Sequence, residues 1–397
     1  MDWKEKAAGL RCLTALYPEG GDRGLELTAQ LTQALAERKE LEAVEAYSAL
    51  YRHLDSTGHS GLGSCFWDML RYRESPYGRQ TEQGRAGRSL TAAAQAECAL
   101  LRELAQVGGE DWKKALAELL PDSYGTAAAA LPEWEKEAPF DFEGLTRFYE
   151  TDGCGLFARC HAFLWTDGEL VPVTDPDMPG PEEMMGYDWQ RREVIGNTRA
   201  LLEGKAVNNV LLFGEGGTGK SATVKSLLAV EGFEQLRLIE VEKEGLADLP
   251  VLIRSLGGRR QKFILFIDDL AFDQDDRTYS ILKTILEGGL EKRPANVAIY
   301  ATSNRRNLVR QTFSDRAGDE VDAAETVAEK TSLAERFGLR IAYLTLNKKE
   351  YLDMVEHMAA LRGIEMDREE LHRRAVQWER LNHGCTPRTA KQFIASL

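Results

Sequence analysis

Two textures of apolar and polar positions alternate along the chain. From the start to about residue 135 the apolar positions recur at three and four residue spacing. In LEAVEAYSALYRHL, Val44, Tyr47, Leu50, Tyr51 and Leu54 form one stripe of a helix. CALLRELAQ and WKKALAELL repeat the pattern, and RYRESPYGRQTEQGRAGRS reads as a polar, glycine-marked loop between helices. From about Phe142 the spacing changes. GLFARCHAFLW followed by ELVPVTDP predicts a small hairpin. TDPDMPGPEEMM, from Thr174 to Met185, carries three prolines and four acids in twelve residues and reads as a linker.

Beyond the linker, short β-branched or apolar runs alternate with helical stretches: VNNVLLFG, LRLIEVE, FILFID, VAIYATS and LRIAYLTL. Such alternation predicts crossover units, a mainly parallel sheet of five strands and helices on both of its faces. From about residue 345 the helical spacing returns, starting at NKKEYLDMVEHMAALRG. The predicted organisation is therefore a helical N-terminal domain over 1–140 and a small β-containing connector and linker over 141–185. An α/β core over 186–344 and a helical segment over 345–397 complete it.

Composition narrows the class. At 397 residues the chain is too long for one ordinary core, and 43% hydrophobic with 29% charged residues is the balance of a folded, soluble protein. MDWKEKAAGL places charges where a signal peptide would be apolar, and no run approaches membrane-spanning length. Six scattered cysteines fit reduced thiols in a cytoplasm. A net charge of -14 argues against a sequence-blind coat on nucleic acid, which needs many exposed cations.

The chemistry is concentrated where the first strand of the core ends. GEGGTGKS comprises Gly214, Glu215, Gly216, Gly217, Thr218, Gly219, Lys220 and Ser221, lies between an apolar strand and a helix, and continues into Ala222. This is the phosphate-loop pattern. Its glycines let backbone N–H groups turn toward phosphates, and the helix start adds positive potential. Lys220 suits the β- and γ-phosphates of a nucleotide, and the Ser221 hydroxyl suits Mg²⁺. FILFIDDL places Asp268 and Asp269 at the end of a buried run, where carboxylates are costly without a metal or water to meet them. Asp268 suits the metal, with Ser221, and Asp269 suits orienting an attacking water. VAIYATSNRRNL ends a further strand with Thr302, Ser303 and Asn304, an amide that could hold that water or a γ-phosphate.

The order of these pieces, with Arg336 in SLAERFGLRI and Arg388 in HGCTPRTAKQF, resembles the AAA+ ATPases across about residues 142–397. AERFGLRI and TPRTAKQF look most like the replication-initiator and helicase-loader branch. The whole stretch is also similar to a bacterial family of AAA+ ATP-binding proteins of unassigned role. The resemblance implies ATP with Mg²⁺ held between the sheet and a C-terminal helical lid. It places GYDWQRREVIGNT, with Tyr187, against the adenine and Ala222 among the nucleotide contacts. It implies Asn304 as sensor 1, Arg336 as an arginine finger reaching a neighbour's nucleotide, and Arg388 as sensor 2. In one departure the second acid is Asp269 where the family has Glu. Its side chain is one methylene shorter, and displacing a catalytic group by about 1 Å can cost ~10²-fold in rate.

Other signals weigh less. LNKKE, from Leu346 to Glu350, mimics a guanine-selecting motif but reads more simply as a helix start. Cys154, Cys160 and His161 lack a fourth ligand for zinc. Arg305, Arg306 and Arg310 form a basic cluster that suits DNA phosphates, a subunit interface or a solvated face. Thr312 to Thr331 is a long acidic stretch, either a nucleotide-sensitive loop or an idle one. The sequence thus predicts an ATPase that assembles with copies of itself and remodels or loads a protein client. The alternatives are a slow or non-hydrolysing ATP-dependent switch and a DNA-associated loader, although nothing indicates nucleic acid and no membrane is expected.

Overall fold

A computed structural model describes residues 1–121, 128–137, 140–179, 184–272, 277–287, 293–304, 308, 333–382 and 384–397. The chain divides into two compact units, Met1–Arg159 and Cys160–Leu397.

Among the described residues of the first unit every assigned element is a helix: Trp3–Arg11, Arg23–Ala36, Glu40–Thr57, Leu62–Tyr72, Pro76–Glu82, Arg88–Ala105, Gly109–Leu119, Phe142–Thr151 and the single turn Leu156–Arg159. The stripe read from the sequence faces the core. Tyr47, Leu50 and Leu54 are buried with Phe66, Leu101 and Trp112, and Val44 and Tyr51 pack against them half-buried. The buried carboxylate of Glu97 accepts the backbone N–H groups of Thr14, Ala15 and Leu16 at 2.8, 3.0 and 2.7 Å. It thereby satisfies a segment that leaves helical geometry. The polar stretch around residue 80 is not all loop, as its composition suggested. Ser75 caps a helix at Gly78 N, Pro76 takes the first-turn position, and Tyr77 anchors it at 1% exposure.

Among the described residues, the second unit is built on seven strands: β1 (Ala162–Thr166), β2 (Glu169–Val173), β3 (Val210–Gly214), β4 (Leu236–Val241), β5 (Lys262–Ile267), β6 (Val297–Ser303) and β7 (Leu339–Tyr343). Their order is β2-β1-β4-β5-β6-β3-β7. The five expected strands, β3 to β7, are mutually parallel. The sheet has seven strands rather than five because the connector hairpin joins it. β1 pairs parallel with β4 and antiparallel with β2. Asp167 and Gly168, with φ of 51° and 78°, make the tight turn that suits a two-residue hairpin. Pro172 in β2 donates nothing to the outer edge, a position where proline is tolerated. All seven residues of β6 are buried and five of six in β5, as both faces of a parallel sheet are covered.

Three helices close the chain: Lys348–Leu361, Arg368–Leu381 and Pro387–Ala395. Tyr351, Met354, Val355, Leu371, Ala375 and Phe393 give them a core of their own, against which Met185 and Tyr187 pack. Tyr187 also packs on the sheet core, so the lead-in to helix Asp188–Leu202 bridges sheet and lid. Among the described residues no helix is long and apolar enough to cross a membrane.

One close approach fixes where the strand ends meet. Gly214 pairs with Tyr343 across β3 and β7, has φ of 142°, and a Cβ there would lie 2.0 Å from the Tyr343 carbonyl oxygen. Gly214→Ala should destabilise the unit by about 1–3 kcal/mol and lower its melting temperature. An alanine variant that melts with the parent would show that the strand ends can separate at little cost.

Candidate functional site

The strand ends at the C-terminal edge of the parallel sheet, where α/β folds place their ligands, open into a cavity of about 900 Å³. One wall is the loop after β3, together with Asp268, Asp269, Thr302 and Asn304 from the ends of β5 and β6. The opposite wall is the lid, with Met358, Leu361, Arg362, Arg388 and Lys391. Met184, Met185 and Tyr187 complete the apolar end.

Lys220 opens helix Lys220–Lys225 and is 6% exposed. Its ammonium donates to the carbonyls of Gly214 and Glu215 at 3.1 and 2.7 Å and to Asn304 Oδ1 at 2.9 Å. Burial lowers its pKa, against the pull of Asp269 and Asp268, which raises it. Asn304 Nδ2 in turn donates to Asp269 Oδ1 at 2.8 Å. The Ser221 hydroxyl donates to Asp268 Oδ1 at 2.6 Å. Gly217 and Gly219 adopt φ of 78° and 89°, which only glycine takes without strain. The lid reaches the loop directly, for the backbone N–H of Arg388 donates to the Gly217 carbonyl at 3.2 Å.

At the apolar end Tyr187 stacks on Tyr343, with ring centroids 4.8 Å apart, and donates its hydroxyl to the Leu344 carbonyl at 2.5 Å. Burial pushes the Tyr187 phenol up, and the Tyr343 phenol up to about 12. The Tyr343 hydroxyl donates to Thr223 Oγ1 at 2.9 Å, which ties β7 to the helix behind the loop.

These groups fit Mg²⁺ and a nucleotide phosphate chain. The Ser221 proton is committed to Asp268, which leaves the serine lone pairs for a hard cation beside a carboxylate. The described residues hold no cluster of three or more His, Cys, Asp or Glu side chains able to bind a metal. A Mg²⁺ held by one or two protein oxygens plus substrate phosphates needs none.

The structure therefore brings together the loop from Gly216 to Ala222, Asp268, Asp269, Asn304, Arg388 and Tyr187, all on one cavity. Gly214 and Glu215 join it through their carbonyls on Lys220. Arg336 does not line the cavity. It follows the short helical stretch from Leu333 and pairs with Glu287 at 3.1 Å, half-exposed. Arg305, Arg306, Arg310 and the stretch from Thr312 to Thr331 lie outside the described residues. The LNKKE stretch starts a helix: Asn347 Oδ1 accepts Glu350 N at 3.0 Å while Glu350 Oε2 accepts Asn347 N at 2.9 Å. That reciprocal cap engages both side chains at a helix start. The Cys154 thiol lies 3.4 Å from Glu82 Oε2.

Sequence reasoning overlooked Tyr343, Arg362 and Lys391. Lys391 was accessible to it, three residues after Arg388 and hence on the same helix face.

A glycine loop, a buried lysine and a serine–aspartate pair at the ends of parallel strands, closed by helices, define a P-loop α/β domain with a helical lid. The chain belongs to the family described as "Protein of unknown function (DUF815)", whose model matches residues 158–397. The expected likeness to a family of unassigned role is met. No curated protein matches the chain. Solved structures similar to it include the RuvB Holliday junction branch migration motor of Thermotoga maritima, at 17% identity and a TM-score of 0.37. That match covers 55% of this chain and 63% of the other. A mutant of the same protein is similar at 17% identity and a TM-score of 0.38, covering 55% and 64%. The chain thus spans less than two thirds of the length of these structures.

Lys220→Ala should abolish binding of a fluorescent ATP analogue while the protein stays folded by circular dichroism and melts below the parent, since the ammonium's bonds to Gly214, Glu215 and Asn304 are lost at the strand ends and not in the core. In the parent, ATP should displace that analogue far better than GTP, because Asn347 and Glu350 are engaged in the helix cap. Equal analogue affinity in variant and parent, or equal competition by GTP, would contradict the assignment.

Proposed function

We propose that the chain binds Mg–ATP in this cavity and hydrolyses it slowly, with Lys220 on the phosphates and Ser221 and Asp268 on the metal. Asp269 orients water, and the cycle drives remodelling or loading of a protein client selected by the helical N-terminal residues 1–140. The observation that carries this reading is the chain of bonds from Lys220 through Asn304 to Asp269, beside the Ser221–Asp268 pair. It sets phosphate-binding, metal-binding and water-orienting groups in one connected array. When bound, Mg²⁺ would supply charge neutralisation at the phosphates.

Asp269 is the weak point of catalysis. Its carboxylate is short and already accepts from Asn304, which supports the second reading, a nucleotide switch whose turnover is secondary. Asp269→Glu should bind ATP like the parent and hydrolyse it faster. Asp269→Asn should bind and stall by ~10²–10⁴-fold, the usual contribution of a general base. Phosphate release in single-turnover assays measures both. Turnover equal to the parent's in both variants would leave Asp269 without a catalytic role.

Arg336 points to an assembly. Its guanidinium pairs with Glu287 and lines no part of the cavity, which supports its acting on the nucleotide of an adjacent copy. Arginine fingers contribute ~10³–10⁵-fold to phosphoryl transfer. Arg336→Ala should therefore bind ATP normally and hardly hydrolyse it. Mixing it with Asp268→Asn should restore part of the activity, since some interfaces then join an intact site to an intact finger. No recovery despite demonstrated co-assembly would make Arg336 a same-chain or structural residue.

A further inference from the structure

We propose that Thr302 is a positioning residue that sets both carboxylates of the acid pair through one hydroxyl. Thr302 is the penultimate residue of β6, two residues before Asn304, and is 1% exposed. Its Oγ1 donates to Asp268 Oδ1, the oxygen that also accepts from Ser221. The same Oγ1 accepts the backbone N–H of Asp269 at 2.9 Å. A threonine hydroxyl has one proton, so these two bonds fix its direction: donor to Asp268, acceptor from Asp269.

Both bonds act where the chain is least free to hold its shape. Asp269 has φ of 48°, a left-handed conformation costly for a residue with a side chain. Flanking bonds brace the turn, from Leu270 N to the Thr302 carbonyl at 2.7 Å and from Ser303 Oγ to the Leu270 carbonyl at 2.8 Å. The turn swings the Asp269 carboxylate under Asn304 while Asp268 stays beside Ser221. The Asp269 N–H also reaches Asp268 Oδ1 at 3.2 Å, and Thr302, with the shorter bond to that N–H and its own bond to the same oxygen, registers one acid against the other. Its hydroxyl also completes a path of hydrogen bonds from Lys220 through Asn304, Asp269, Thr302 and Asp268 to Ser221, the residue after Lys220.

This role rests on reading the cavity as a Mg–ATP site, and the test separates the two. Thr302→Val keeps the shape and removes both bonds, and Thr302→Ser keeps both. Mg²⁺ is titrated against binding of a fluorescent ATP analogue, and kcat and KM for ATP are measured by phosphate release. Thr302→Val should weaken the Mg²⁺ dependence of binding ~10–100-fold, as loss of a partner behind a metal ligand does. It should lower kcat ~10²-fold with KM little changed, and metal-free analogue affinity should stay within about twofold of the parent. Thr302→Ser should restore both readouts. Should the valine variant fail to fold, Thr302→Cys, close in size but a weak donor, should show the same losses. Parent-like Mg²⁺ dependence and kcat in Thr302→Val, or in Thr302→Cys in its place, would overturn the positioning role alone. A parent protein whose analogue binding ignores Mg²⁺ would overturn it together with the reading of the site.

Discussion

The ammonium of Lys220 is withdrawn from water and must be met by oxygen, and the oxygens that meet it decide where three strand ends go. Two are carbonyls of its own loop, which bends back over the lysine. The third is Asn304 Oδ1, 84 residues further along the chain and one position past β6. Because Asn304 also holds Asp269, an unpaired cation cannot be left there without releasing a carboxylate at the end of β5. A buried charge without partners costs several kcal/mol, so the lysine and the strand ends stabilise one another or neither is placed. The fully buried strands β5 and β6 supply the rigid floor from which these polar tips project.

The lid is joined to this array by main chain as well as by side chains. Arg388 N bonds the loop at Gly217, and Leu346 N bonds Cys385 where the strands hand over to the lid helices. Tyr343 stands between the two halves, its ring against Tyr187 and its hydroxyl on Thr223. A ligand that entered between loop and lid would meet aromatic and methionine side chains at one end and cations at the other. That polarity suits an apolar base joined to a phosphate chain. Opening the lid must break the Arg388–Gly217 bond, so loop geometry and lid position are one variable.

How much of this could be read from the sequence follows from sequence separation. The loop was legible because its glycines, lysine and serine are contiguous and flanked by a strand and a helix. Asp268, Asp269 and Asn304 were legible because each ends an apolar run, where a polar group asks for a reason. The bonds of Thr302 to both acids were not, since they depend on the parallel register of β5 with β6, in which Ile267 lies beside Ala301. Tyr343 was hidden for the same reason: only the pairing of β3 with β7 brings it to Gly214. The helix Pro76–Glu82 has seven residues, too few for a period of 3.6 to show, and its signals were a cap and a proline. The hairpin was expected, but its joining of the sheet was not, because β2 is largely exposed and only the pairing of β1 with β4 reveals it.

The shortness of Asp269 gains meaning from its backbone. A glutamate in extended conformation could reach across the same gap with its extra methylene. Here the chain instead turns left-handed at Asp269, which redirects the carboxylate with main-chain rotation. That turn costs on the order of 1–3 kcal/mol and persists only where neighbours over-determine it. Thr302 Oγ1 on the Asp269 N–H, Thr302 O on Leu270 N and Ser303 Oγ on the Leu270 carbonyl are those neighbours, all from the end of β6. The aspartate and the Thr-Ser-Asn end of β6 are therefore one solution to one geometric problem. Because these bonds all meet main-chain atoms of residues 269 and 270, they hold the turn whichever acid stands there, and a longer one extends the reach of the carboxylate from the same base.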